Sequence, residues 1–527
     1  MNNEDDSALR VRRCLGVFFS LICFFSLMAA SFVFAAENNK AATHVKFRDV
    51  VEKARVLSKT AFQSPGKGLP DILKKMGYDQ WRGIRFKPSK SLWAREPFSV
   101  QFFHPGFLYK QPVLIHDISR DGTHAFPFSS DFFEYQDDGV AGRMEDDYGF
   151  AGFRVHYPLN TPQYADELVA FLGASYFRAL GRNQVYGISA RGLAVNTAEA
   201  GGEEFPFFRE FWIVHPASSD KQIEIYALLD SASVVGAYTF TVIPGDETVV
   251  KVACTLFIRQ PVQKFGIAPL TSMFYYGENS GFKGDADFRP EVHDSDGLLV
   301  HAQSGEWIWH PLTDSPQLLV NAFGGGLPVG FGLMQRDTNF DHYQDLEARY
   351  EKRPSVWVTP KGDWGKGHVE LVQLPTESEY NDNVVTYWVP EKEFARGDVL
   401  TYAYTLTWQS GRYLRPFQGF VASTRVVKKN NAGMFIVDFE GDGFRAITND
   451  KLISADTWVS RGARITDSQL IKNPVSGGWR LVLHVKWDGA GFMEDVLPNQ
   501  KETFEFRAFL KNVNVPVTET WSYTYQP

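Results

Sequence analysis

Phe504-Glu505-Phe506-Arg507-Ala508-Phe509 reads as a β-strand, and so does Val369-Glu370-Leu371-Val372-Gln373-Leu374. Both runs are short, rich in side chains that suit a pleated surface, and set among turn-forming residues. Similar runs recur along most of the chain, among them Val384 to Val389 and Leu298 to Ala302. Many short strands separated by turn signals indicate a sandwich or a barrel. Helical spacing is confined to three places. Phe47, Val50, Val51, Ala54, Leu57 and Ala61 predict a helix over 47–64, Pro70 opens a second that Gly77 closes, and a third is expected over Ala165 to Leu172. Near 410–420 the polar segment Gln409-Ser410-Gly411-Arg412-Tyr413-Leu414-Arg415-Pro416 marks a boundary. The C-terminal stretch beyond it carries turns at Asn430-Asn431-Ala432-Gly433 and Ser476-Gly477-Gly478 and, at about 100 residues, has the size of one immunoglobulin-like sandwich. The paired cysteines of antibody domains are missing, so the likeness is one of architecture.

The chain has 527 residues, of which 44% are hydrophobic and 22% charged, and this is globular composition with room for two or three domains. Aromatics reach 15%, with 44 Phe, 21 Tyr and 13 Trp, which suits a large β core and also sugar recognition, since Tyr and Trp rings stack on pyranose faces. A net charge of -8 disfavours nucleic acid or an anionic membrane as partner, because both need clustered Lys and Arg.

Arg10, Arg12 and Arg13 precede an uncharged apolar run from Cys14 to Phe34, whose end overlaps Val33-Phe34-Ala35, and Ala36-Glu37 comes next. This predicts a secretory signal over 1–35, cleaved after Ala35, and a periplasmic destination; an uncleaved membrane anchor is the rival reading. Arg12-Arg13-Cys14-Leu15 is only a partial twin-arginine pattern, which favours the general export route. Cys14 and Cys23 leave with the leader, so Cys254 stands alone and a hydrophobic core, not a disulfide, must hold the fold.

Several chemistries find no motif. There is no His-Glu-x-x-His, Cys-x-x-Cys or phosphate-binding glycine loop, the twelve His show no metal-ligand spacing, and Gly187-Ile188-Ser189-Ala190-Arg191 fails as a nucleophile elbow. No cofactor and no metal are expected. Two acidic stretches stand out: Arg289-Pro290-Glu291-Val292-His293-Asp294-Ser295-Asp296-Gly297 and Glu379-Tyr380-Asn381-Asp382-Asn383. Asp294 and Asp382 each precede a strand, and a pair of carboxyls beside aromatic strands suits glycoside hydrolysis. Both stretches are also good turn sequences. Between them, residues 344–358 pack charge and aromatics into a loop entering a strand. Tyr350, Arg353 and Trp357, with Trp364 beyond, are candidates for substrate binding, with solvated surface as the plainer alternative. In Glu306-Trp307-Ile308-Trp309 the two Trp share one strand face, as core or as sugar platform.

Linked motifs across the mature chain resemble the periplasmic glucan biosynthesis proteins D and G. They include Gly173-Ala174-Ser175-Tyr176-Phe177-Arg178, Gly202-Glu203-Glu204-Phe205-Pro206, Ala268-Pro269-Leu270-Thr271-Ser272-Met273-Phe274, His293-Asp294-Ser295, Arg353-Pro354-Ser355, Asp382-Asn383 and Gly478-Trp479-Arg480-Leu481-Val482. The run from Thr359 to Val372 is closer to the G type. The resemblance implies a mostly β fold: a large N-terminal β-sandwich similar to the galactose mutarotase class, carrying a cleft (45–409), a linker (410–420), and a smaller C-terminal immunoglobulin-like β-sandwich (421–527). It implies a role in making osmoregulated periplasmic glucans, whose backbone is β-1,2-linked glucose. Members of the D type look like inverting endo-β-1,2-glucanases, and the resemblance implies that the family's general acid, with a raised pKa, falls on Asp382, its ionised general base on Asp294, and a cleft tyrosine on Tyr350. The partners expected are a β-1,2-linked glucan and the inner-membrane glucan synthase, with self-association compatible. A non-catalytic glucan-binding protein that assists release, branching or handover is the alternative, and a structural or chaperone protein unrelated to sugars is a third class.

Overall fold

The computed structural model describes residues 44–64, 69–136, 140, 148–281, 287–410, 419–429, 431–447, 450–487 and 503–526. The predicted leader and most of the predicted linker lie outside them. Strands dominate, in two large sheets and several small ones. The first large sheet runs Ser99–Phe103, Gly152–Thr161, Tyr164–Leu172, Tyr176–Ala179, Ser189–Arg191, Phe265–Ser272, Val384–Pro390, Gly367–Gln373, Leu319–Phe323. The second, of 15 strands among the described residues, includes Phe207–Val214, Ile223–Asp230, Val234–Ile243, Thr248–Ile258 and Val399–Gln409.

Period-two alternation decides which face of the first sheet is core. In Tyr176–Ala179, Phe177 and Ala179 are buried while Tyr176 and Arg178 lie on the opposite, half-buried face. Phe177 packs edge-on against Phe240 of the second sheet at 5.2 Å between ring centroids, and Phe171 meets Phe240 at 5.1 Å. Trp388, Trp408, Tyr404 and Leu270 complete this inter-sheet core. The polar residues of the first sheet are thereby left on its outer face, where the candidate site lies.

A smaller sandwich lies C-terminal to these sheets. The four-stranded sheet of Phe420–Lys429, Ala432–Glu440, Trp479–Trp487 and Ala463–Lys472 packs against Ile453–Val459, Phe504–Asn512 and Thr520–Tyr525. The latter three strands extend the second large sheet, because Ile308 and Trp309 pair in parallel with Thr520 and Trp521. Trp309, Met334 and Trp357 share this core with Phe435, Phe506 and Trp521. The expected turn at Ser476-Gly477-Gly478 joins Ala463–Lys472 to Trp479–Trp487, with Gly477 at φ +77°, a region that suits glycine.

Three helix expectations need correction. Residues 165–172 form part of the strand Tyr164–Leu172, paired antiparallel with Gly152–Thr161. The run Leu168-Val169-Ala170-Phe171 is buried throughout, and a short buried apolar run has no periodicity of its own, so sheet pairing decides it. The first helix stops at Leu57 rather than Ser64. Arg259 donates to the Leu57 carbonyl at 3.1 Å and satisfies a terminal acceptor there. Gly77 does not close the helix begun after Pro70, which spans only Asp71–Lys74; it is the N-cap of Tyr78–Arg82.

Candidate active site

Asp382 sits in the turn entering Val384–Pro390, and Asp294 comes directly after the short strand Val292–His293. They are 88 positions apart in sequence, and the fold brings them to one place. Arg178 Nη2 lies 3.7 Å from Asp382 Oδ2, and its Nε donates to Ser189 Oγ at 2.6 Å. Arg353 donates to Asp294 Oδ1. Burial pushes the Asp294 carboxyl up; the Arg353 cation opposes this, the Asp382 charge adds to it, and Arg178 opposes it. The two carboxyls and two guanidinium groups therefore share one field. Asp382 is partly exposed, with a third of its side chain accessible, whereas Asp294 is buried.

A buried amide fixes this arrangement. Asn383 Oδ1 accepts the Phe274 N–H at 2.9 Å, and its Nδ2 donates to the Phe274 carbonyl at 3.0 Å and the Leu374 carbonyl at 2.9 Å. Phe274 pairs with His293, and the Asp294 N–H donates to the Met273 carbonyl at 2.8 Å. Both aspartates thus hang from the Met273–Phe274 backbone.

Tyr350 is buried, and its hydroxyl donates to Glu379 Oε2 at 2.6 Å. The Arg353 guanidinium lies over its ring at 4.3 Å. Glu379 is also held by Arg289, as are Asp287 and Asp345. Tyr109 and Tyr176 lie within range of the Asp382 charge. Burial raises both hydroxyls, and the Asp382 charge adds to the shift in each.

Of the predicted binding residues, Tyr350 and Arg353 join the two aspartates, and the tryptophans do not. Trp357 belongs to the core of the smaller sandwich, stacked on Trp307 at 5.8 Å. Trp364 is 5% exposed, donates to the Ala403 carbonyl at 3.1 Å, and lies edge-on to Trp388, Tyr402 and Tyr404. Neither indole presents a face to a sugar. Trp307 and Trp309 likewise pack in that smaller core. Arg178, Asn383, Tyr109 and Tyr176 escaped the sequence reading as site residues. Arg178 and Tyr176 carried a signal in their alternation about Phe177; Asn383 carried one only as the neighbour of Asp382.

Where the two sandwiches meet, Glu278, Glu291, His293, Asp296 and Arg336 line a cavity of about 50 Å³. Among the described residues, Glu291, Asp337 and His342 bring possible metal-ligand atoms within 4.8 Å of one another. His342 already bonds Asp337, and Glu291 bonds His293 at 3.0 Å, so these groups are satisfied within the protein.

Residues 45–525 match the family described as periplasmic glucan biosynthesis protein, MdoG. The chain is also 43% identical to the glucans biosynthesis protein G of Ralstonia nicotianae over 506 residues, covering 94% of this chain and 98% of that protein. The matched range runs through both sandwiches. The chain belongs to the MdoG family of periplasmic glucan biosynthesis proteins.

Proposed function

We propose that this chain binds the β-1,2-linked backbone of periplasmic glucans across the outer face of the first sheet and cleaves it with inversion. The observation that carries the reading is the convergence of Asp294 and Asp382 on one backbone segment, with Tyr350, Tyr109 and Tyr176 around them. Asp382, the more accessible carboxyl, gives its proton to the glycosidic oxygen as the bond to C1 breaks. Water attacks C1 from the opposite face, and Asp294 takes its proton. Arg353 holds Asp294 in place and favours its ionised form against the effect of burial. The leader through Ala35 delivers the chain to the periplasm, where the membrane-bound glucan synthase supplies the polymer.

One observation favours a second reading, in which the site holds glucan without cutting it. The Asp294 carboxylate is engaged by Arg353, and an engaged carboxylate is a weaker base. Reducing-end release from linear β-1,2-glucan by the mature protein, beside Asp382→Asn, separates the two. Release by wild type alone supports cleavage. Glucan bound by calorimetry with no release in either protein supports holding, and no binding at all removes both.

A further inference from the structure

Three large apolar side chains stand out of the protein beside the carboxylate site: Phe288 at 80% exposure, Leu346 at 80% and Tyr380 at 90%. They come from three separate loops, and one cation gathers them. Arg289 donates to Asp287 at 2.6 Å, to Asp345 at 2.8 Å and to Glu379 at 2.8 Å. Each exposed residue is the immediate chain neighbour of a residue in this cluster: Phe288 of Arg289, Leu346 of Asp345, Tyr380 of Glu379. The charged members turn inward and are 13–22% exposed, while their apolar neighbours face solvent.

This rim is wired to the reaction centre. Glu379 accepts from Tyr350 at 2.6 Å, the Tyr350 ring carries Arg353 at 4.3 Å, and Arg353 donates to Asp294. By the chain, Tyr380 is two residues from Asp382. Isolated rings and an aliphatic side chain set around an ionised, hydrogen-bonding floor suit a pyranose, which has apolar faces and polar edges. They suit a protein partner less, since a protein interface needs a contiguous apolar centre.

We propose that Phe288, Leu346 and Tyr380 form a second glucan-binding surface, which takes glucose units of a long chain beyond those lying at the two aspartates. This rests on the glucan reading above. A long polymer then binds more tightly than an oligosaccharide that fills only the carboxylate region, and the ratio of the two affinities measures the rim.

The test is calorimetry of the full mature protein with linear β-1,2-glucan and with a short β-1,2-linked oligosaccharide. Wild type, Tyr380→Ala, the double variant Phe288→Ala with Tyr380→Ala, and Tyr380→Trp are compared. The expected result is that the affinity ratio of long to short falls about tenfold in the double variant and is kept by Tyr380→Trp. An unchanged ratio in protein that binds glucan overturns the rim while leaving the glucan reading intact. Wild type that binds neither ligand overturns both. A double variant that loses a dimer seen for wild type by sedimentation, with the ratio unchanged, assigns the patch to self-association and also overturns the proposal.

Discussion

Asn383 brackets Phe274, accepting from its N–H at 2.9 Å and donating to its carbonyl at 3.0 Å. This pair of bonds links the turn of Asp382 to the strand pair that carries Asp294. Asn383→Ala leaves the Phe274 N–H and carbonyl and the Leu374 carbonyl buried without their partner. We expect a loss of roughly 1–3 kcal/mol in urea unfolding, the usual cost of unsatisfied buried polar groups. The folded variant should also turn over β-1,2-glucan more slowly, at little change in KM, because the separation of the carboxyls is no longer fixed. A variant with wild-type kcat would show that the bracket is structural only.

Arg353 opposes the effect of burial on Asp294. With the cation removed, burial acts with less opposition, and the Asp294 carboxyl rises further. A base must be ionised to accept a proton, so the acidic limb of the pH profile should move to higher pH in Arg353→Gln. Arg353→Lys, which keeps the charge but not the fork, should move it less. An unmoved limb would remove Asp294 from the role of base.

The contact between the sandwiches should weaken in alkali. Glu278 accepts from the Thr424 N–H at 2.5 Å and pairs with Arg425 at 3.2 Å. Burial pushes its carboxyl from the ordinary 4.5 up to about 8, against Arg425 and the Thr424 N–H. At His293 burial opposes the charge, but the Glu291 hydrogen bond and the charges of Asp296 and Glu291 outweigh it and push the ring up from 6.5 to about 9. Both groups bind more protons folded than unfolded. The His293 contribution is full below 6.5 and lost through about 9, while the Glu278 cost grows from 4.5 to about 8. Melting temperature should therefore fall from pH 5 to pH 9, by about 2 °C or more. Glu278→Gln should flatten the part below pH 8. A rise in stability over this range would contradict the assignment.

Trp364 tests the distinction between core and sugar site. Trp364→Phe keeps a ring in the Trp388, Tyr402 and Tyr404 cluster but loses the bond to the Ala403 carbonyl. It should cost roughly 1–2 kcal/mol in denaturant unfolding and leave glucan affinity unchanged. Weakened glucan binding at full stability would return Trp364 to the site.

Much of the architecture is legible in the sequence because strands announce themselves locally. Gly367–Gln373, Val384–Pro390 and Phe504–Asn512 appear where short β-rich runs predict them. Tyr164–Leu172 reads as a helix because Leu, Ala and Glu also favour helices, and only pairing with Gly152–Thr161 resolves the ambiguity. At the site, Asp294, Asp382, Tyr350 and Arg353 stand out as candidates in their acidic and charged stretches, the resemblance supplies the roles of the two aspartates, and spacing alone does not show that the four converge. The tryptophans mislead for a related reason. An aromatic residue in a strand looks the same whether it faces a core or a cleft, and only the packing of Trp364 under Tyr402 and Tyr404 tells which.

The most direct test of the central claim is time-resolved NMR of linear β-1,2-glucan with wild type, Asp294→Asn and Asp382→Asn. Inversion at a β-linkage predicts that new reducing ends appear first as the α-anomer with wild type, and that both variants release none while still binding the polymer. Reducing ends appearing first as the β-anomer, or release that persists in Asp382→Asn, would contradict the account.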